Sequence, residues 1–141
     1  MIKRVLFLCT HNSARSIMAE ALGNYLAPRI LECYSAGTHP TQLRKETKIV
    51  LAEIGIDTKG LKSKGVDLFL NKKFDFVVTT CDSAREACPF FPGAKKTLHW
   101  SLPDPSQIQG DEAFQFEGYR QIRENLRQRI LSLAQELSQQ T

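Results

Sequence analysis

The chain has 141 residues, 42% of them hydrophobic and 24% charged, with a formal net charge of +4. That length and balance suit one globular domain, 1–141, and exclude a disordered or fibrous chain. No apolar run reaches the ~18 residues of a transmembrane helix, so no membrane partner is expected. A charge of +4 falls short of a nucleic-acid footprint, yet it still favours small anionic ligands.

At the N-terminus, Lys3 and Arg4 precede only Val5-Leu6-Phe7-Leu8, and no small-residue cleavage site follows. The run therefore reads as a strand covered on both faces rather than a secretory signal, and a cytoplasmic monomer is expected. From Ala14 to Leu26 the period becomes helical, through Ile17, Ala21, Leu22, Tyr25 and Leu26, and Pro28 ends it. Residues 30–35 read as a second strand, punctuated by Gly37 and Pro40. Residues 42–53 read as a helix sending Ile49, Val50 and Ile54 to the core, with Gly55 closing it. The runs 75–80 and 95–100 read as further strands, and 101–110, with two prolines and a glycine, as loop. The last element is a long amphipathic helix on Tyr119, Ile122, Leu126, Ile130, Leu133 and Leu137. Strands alternating with helices predict an α/β fold: a central parallel four-stranded sheet with helices on both faces.

In such a sheet ligands bind beyond the carboxyl ends of the strands, and Cys9 stands there. It opens Cys9-Thr10-His11-Asn12-Ser13-Ala14-Arg15-Ser16, where five residues separate the thiol from an arginine that starts a helix. A loop of this length can turn successive backbone N–H groups inward as an anion nest, to which Arg15 adds a planar fork for two oxygens. The same positive field favours the thiolate. Ser16 either donates to the Cys9 sulfur or caps the helix, and His11 either helps hold the thiolate or faces solvent. Asp104, between Pro103 and Pro105, is a carboxyl on a stiff loop, suited to protonating a leaving oxygen, although Asp-Pro alone also marks an ordinary turn.

Four cysteines are unusual in a reducing compartment, where such residues serve catalysis, redox work or metals more than stapling. Cys33 sits in a strand pattern and reads as packing. Cys81 and Cys88 flank DSAREA, a good helical sequence. As a helix, that segment would hold them roughly 10.5 Å apart in rise, beyond the about 7 Å between Cα atoms that a disulfide allows. Either the pair is a conformational redox switch or two unrelated buried cysteines. Its spacing is wrong for a zinc knuckle, and no metal site is expected.

The C-x5-R-S loop after an N-terminal strand, with a late Asp-Pro, resembles the low-molecular-weight tyrosine phosphatase fold. Cys81 with Cys88, Met18-Ala19-Glu20, Tyr34-Ser35-Ala36-Gly37 and His99-Trp100 before Asp104-Pro105 are similar to the thioredoxin-coupled arsenate reductases of that fold. The resemblance implies attack of Cys9 on arsenate held by the loop amides and Arg15, with Asp104 as acid. A Cys9–Cys81 disulfide and then a Cys81–Cys88 disulfide would follow, reset by thioredoxin; no cofactor is tightly bound, and residual phosphatase activity is expected. Alternatives are a tyrosine phosphatase, a reductase using glutathione or mycothiol, and an oxyanion-binding redox sensor. Ala14 replaces a cysteine found in many relatives, and Ser106 stands where the phosphatases carry an aromatic. In relatives that bind potassium beside the loop, Asn12, Glu20 and Ser35 match ligand positions, but the acidic ligand falls at Lys64. The expectation is that the Lys64 ammonium takes the cation's place, pairing with Glu20 and steadying Asn12.

Overall fold

The computed structural model describes residues 2–81 and 91–139. Its strands are β1 (Lys3–Cys9), β2 (Leu31–Gly37), β3 (Phe74–Thr79) and β4 (Ala94–His99). Its helices are α1 (Arg15–Leu26), α2 (Lys45–Ala52) and α3 (Glu112–Gln139), with 3-10 turns at Val66–Phe69 and Pro105–Gln107. All pairings are parallel in the order β2-β1-β3-β4, which is the four-stranded sheet the alternating pattern predicts.

Because side chains alternate along a strand, β1 feeds two cores. Val5 and Phe7 pack with α1, α2 and α3, whereas Leu6 and Leu8 join Phe69, Phe74, Val77 and Phe91 on the other face, beneath the first 3-10 turn. That second layer has no periodic signal in the sequence. It is built from edge-to-face aromatics, Phe74 meeting Phe69 at 6.0 Å and Phe91 at 5.9 Å between ring centroids.

The six apolar positions expected of the last helix are all buried. Three other details need correcting. Tyr25 and Ile49 face solvent, 52% and 44% exposed, because Leu22 and the pair Val50–Leu51 already fill the core at those turns. Residues 101–110 are not wholly irregular, since Asp104 caps the 3-10 turn inside them. Gly55 does end α2, at φ 88, the left-handed region that a glycine enters without strain. Arg123 of α3, only 9% exposed, then ties the two helices together through Val50 O at 2.8 Å and Glu53 at 2.7 Å.

Cys33 is packing, as expected. It lies 4% exposed under α1, where a Cβ on Gly23 would collide with its sulfur, and Asn24 bonds both its N–H and its carbonyl. Burial, reinforced by Glu20 and Glu32, pushes the thiol up to about 12, so it stays protonated and inert. No helix among the described residues is long and apolar enough to cross a membrane.

Candidate active site

The loop after β1 is held entirely from outside. Thr38 N–H donates to Cys9 O at 3.1 Å, His39 N–H to Thr10 O at 2.7 Å and Thr41 N–H to His11 O at 3.1 Å. Ser63 Oγ donates to Asn12 O at 2.5 Å, Arg44 N–H and Thr47 Oγ1 donate to Ser13 O at 3.1 and 2.9 Å, and Met18 N–H donates to Ala14 O at 2.8 Å. In a trans peptide the carbonyl and the next N–H point opposite ways. With every carbonyl from Cys9 to Ala14 bound outward, the N–H groups of Thr10 to Arg15 turn inward as a nest. Gly37 permits this arrangement: a Cβ there would lie 2.6 Å from Thr10 O and 2.9 Å from Asn12 N.

Inside the nest, Cys9 Sγ receives Asn12 N–H at 3.2 Å and lies 2.8 Å from Ser16 Oγ. Asn12 Nδ2 donates to that same hydroxyl at 2.7 Å, which leaves the Ser16 proton free to point at sulfur. Ser16 makes no cap at the start of α1, so of its two readings the structure favours the contact with the thiol. Two hydrogen-bonding groups thus converge on one sulfur.

Arg15, 9% exposed, donates from Nη1 to Leu102 O at 3.1 Å, and its Nη2 lies 3.8 Å from Asp104 Oδ2. Partial burial alone would raise the Asp104 pKa. The two bonds from Ser106, followed by the Arg15 and Arg44 charges, outweigh that and hold the carboxyl below its ordinary range. Thr10, His11, Arg15, Cys81, Leu102, Pro103 and Asp104 line one hollow of about 370 Å³. Cys81, 4% exposed, reaches it because Leu8 pairs with Thr79, so the residues that follow the two strands meet; Thr10 Oγ1 lies 3.3 Å from its sulfur. Of the expected site residues, only Cys88 lies outside the described ones. His11 is exposed at the rim, its Nδ1 3.2 Å from His39 O.

Beside the loop, Lys64 Nζ lies 3.3 Å from Glu20 Oε1, an oxygen that also accepts from Ser35 Oγ at 2.7 Å. Lys64 N–H donates to Asn12 Oδ1 at 2.8 Å, and its ammonium also reaches Lys62 O at 2.9 Å. Among the residues that match a potassium site in the relatives, the Glu20 carboxylate is thus already shared by an ammonium and a hydroxyl.

Sequence reading missed the outer brace of residues 38–47 and Ser63, the Leu102 carbonyl and the Thr10 contact with Cys81. Most of these bonds are made by backbone groups, which leave no side-chain signature; the Thr47 and Ser63 hydroxyls are remote in the chain from the loop they brace, and the Thr10 contact depends on strand register.

A Cys-loop-Arg cradle at the end of a central parallel strand, with an aspartate facing it, defines an oxyanion-handling class. The family profile for low molecular weight phosphotyrosine protein phosphatases matches residues 4–141, and the chain belongs to that family. Within it, an arsenate reductase of Halalkalibacterium halodurans is 35% identical over 133 residues, covering 94% of this chain and 96% of the relative. The solved structure of an arsenate reductase in the phosphate binding state is similar with a TM-score of 0.83 and 25% identity, covering 96% of this chain and 99% of that one. A thioredoxin-dependent arsenate reductase of Corynebacterium glutamicum has a TM-score of 0.76 and 26% identity, covering 99% of this chain and 64% of that one.

Proposed function

We propose that the protein reduces arsenate to arsenite by a three-thiol relay in the cytoplasm. The observation that carries this reading is a second buried thiol, Cys81, in the same hollow as the Cys9 cradle. Hydrolysis of a phosphoester needs one nucleophile, whereas removing an oxygen from arsenic(V) needs two electrons, which two thiols supply as they join.

In the first step the Cys9 thiolate attacks arsenic while the nest amides and Arg15 hold the oxyanion; Asp104 gives its proton to the departing oxygen, which leaves as water. Cys81 then attacks Cys9 Sγ. The sulfur–arsenic bond breaks with its electron pair on arsenic, arsenite departs, and a Cys9–Cys81 disulfide remains. Cys88 attacks Cys81, freeing Cys9, and thioredoxin reduces the resulting Cys81–Cys88 bond. The donor is supported by the thioredoxin-dependent relative.

No step needs a bound metal. The Lys64 ammonium serves in place of a potassium ion, holding Glu20 while its backbone N–H steadies Asn12 beneath the thiol.

The test is arsenate-dependent NADPH oxidation with thioredoxin and thioredoxin reductase. Wild type is expected to turn over, Cys9→Ser to be inactive, and Cys88→Ser to release about one arsenite per chain and stop. Sustained turnover of Cys88→Ser with glutathione would move the reading to a small-thiol reductase. Aryl-phosphate hydrolysis without any arsenate reduction would make the protein a phosphatase.

A further inference from the structure

Asp104 is held in an asymmetric way. Its carboxyl caps the Pro105–Gln107 turn, and Oδ1 accepts both the Ser106 N–H at 2.9 Å and the Ser106 hydroxyl at 2.7 Å. Oδ2 is the oxygen directed at Arg15, 3.8 Å from Nη2. Pro103 and Pro105 keep the flanking backbone stiff, and Gln107 N–H closes the turn on Asp104 O at 3.1 Å. A carboxylate oxygen has two in-plane lone pairs. Both lone pairs of Oδ1 are taken, which leaves Oδ2 as the oxygen that carries a proton.

We propose that Ser106 is the positioning residue of the acid: its two donors occupy Oδ1 and force the transferable proton onto Oδ2, which faces the oxyanion cradle. This rests on the reading of Asp104 as the proton donor. In the step concerned, sulfur bonds to arsenic or phosphorus, the bond to the leaving oxygen breaks, and that oxygen keeps the electron pair and takes the Oδ2 proton. A serine with only its backbone N–H on Oδ1 would leave one lone pair there open to an unproductive proton. The aromatic side chains expected at this position in phosphatases have no hydroxyl that repeats the second bond at this distance, except through the para oxygen of tyrosine, which extends too far. Among the described residues, the charged and titratable groups around the carboxyl are Arg15 from α1, Arg44 ahead of α2, Tyr119 from α3, and His11 and Cys81 of the same hollow. None of them contacts Oδ1 within hydrogen-bond distance, so the effect of Ser106 is separable from theirs.

The experiment compares wild type, Ser106→Ala and Ser106→Thr on arsenate in a single turnover, and on phenyl and 2,4-dinitrophenyl phosphate, across pH. Carbon-13 NMR follows the Asp104 carboxyl of the free protein in parallel. At pH values low enough for the acid to be protonated in both proteins, Ser106→Ala is expected to slow the arsenate step and phenyl phosphate cleavage at least about twofold, because its proton then divides between Oδ1 and Oδ2. Dinitrophenyl phosphate, whose leaving group needs no proton, should be unaffected. Losing a donor to the carboxylate favours its protonated form, so the carboxyl midpoint and the alkaline limb should both move to higher pH. Ser106→Thr should restore both. An unmoved midpoint in Ser106→Ala, or an equal loss on both aryl phosphates, overturns the proposal. If wild type leaves arsenate unreduced while the aryl phosphates split as described, the function above fails and the role of Ser106 stands.

Discussion

Asn12 carries three jobs with one side chain and one peptide. It sits fully buried at φ 51, a left-handed conformation that asparagine tolerates better than most residues. That turn aims its N–H at Cys9, its Nδ2 at Ser16 and its Oδ1 at Lys64. The Lys64 ammonium and Glu20, with 17% and 15% of their side chains exposed, are shielded enough for their pairing to hold Lys64 against the loop. Replacing sodium by potassium should therefore leave wild-type turnover unchanged. Lys64→Ala should lose about tenfold and recover part of it with added potassium, since the acceptors left behind then welcome a cation. A sharp rise of the wild-type rate in potassium would contradict the assignment. At this scale the sequence was informative: Cys9 to Ser16 are contiguous, and Glu20, Ser35 and Lys64 stood out through family resemblance. Ser106 stood out only as a departure from the phosphatases' aromatic residue; its bond to Asp104 had no sequence pattern, since it depends on where the hydroxyl lies.

Between elements, the contact with the clearest chemistry is the clasp of α2 and α3. Glu53 at the end of α2 receives three bonds from Arg120, between 2.8 and 3.1 Å, and one from Arg123 at 2.7 Å. Arg120 chiefly, helped by Arg123 against partial burial, lowers the Glu53 carboxyl from 4.5 to about 2. A carboxyl with a depressed folded-state value stabilises above its unfolded value, and the gain disappears as pH falls through the folded one. Glu53→Gln should thus be less stable than wild type in urea melts at neutral pH, with the gap closing between pH 4.5 and about 2. A gap of constant size over that range would show that the clasp contributes no charge-dependent stability. The helical faces that make this contact were legible from apolar spacing. The exposure of Ile49 was not, because spacing alone allows a stripe to be centred one residue off, and packing against α3 decided for Val50 and Leu51.

Across the whole molecule, strand order does what no local motif could. The order β2-β1-β3-β4 puts the ends of β1, β3 and β4 side by side, so the loop that follows Cys9, Cys81 and the loop bearing Asp104 line one hollow, and Cys9 and Cys81 share one buried cluster, although they are far apart in the chain. Hydrophobic pattern showed that strands alternate with helices, but it is silent on their order; the meeting of two thiols could be expected only through resemblance. The same order explains why the cradle is braced by the chain after β2, which runs alongside β1 and reaches the loop carbonyls directly. The central claim, that these thiols exchange electrons with arsenate in sequence, is tested most directly by peptide mapping of Cys88→Ser after arsenate treatment without reductant. A disulfide joining the Cys9 and Cys81 peptides, formed in step with one arsenite released per chain, is the result predicted. Arsenite release with Cys81 still a free thiol, or no disulfide at Cys9 at all, would contradict it.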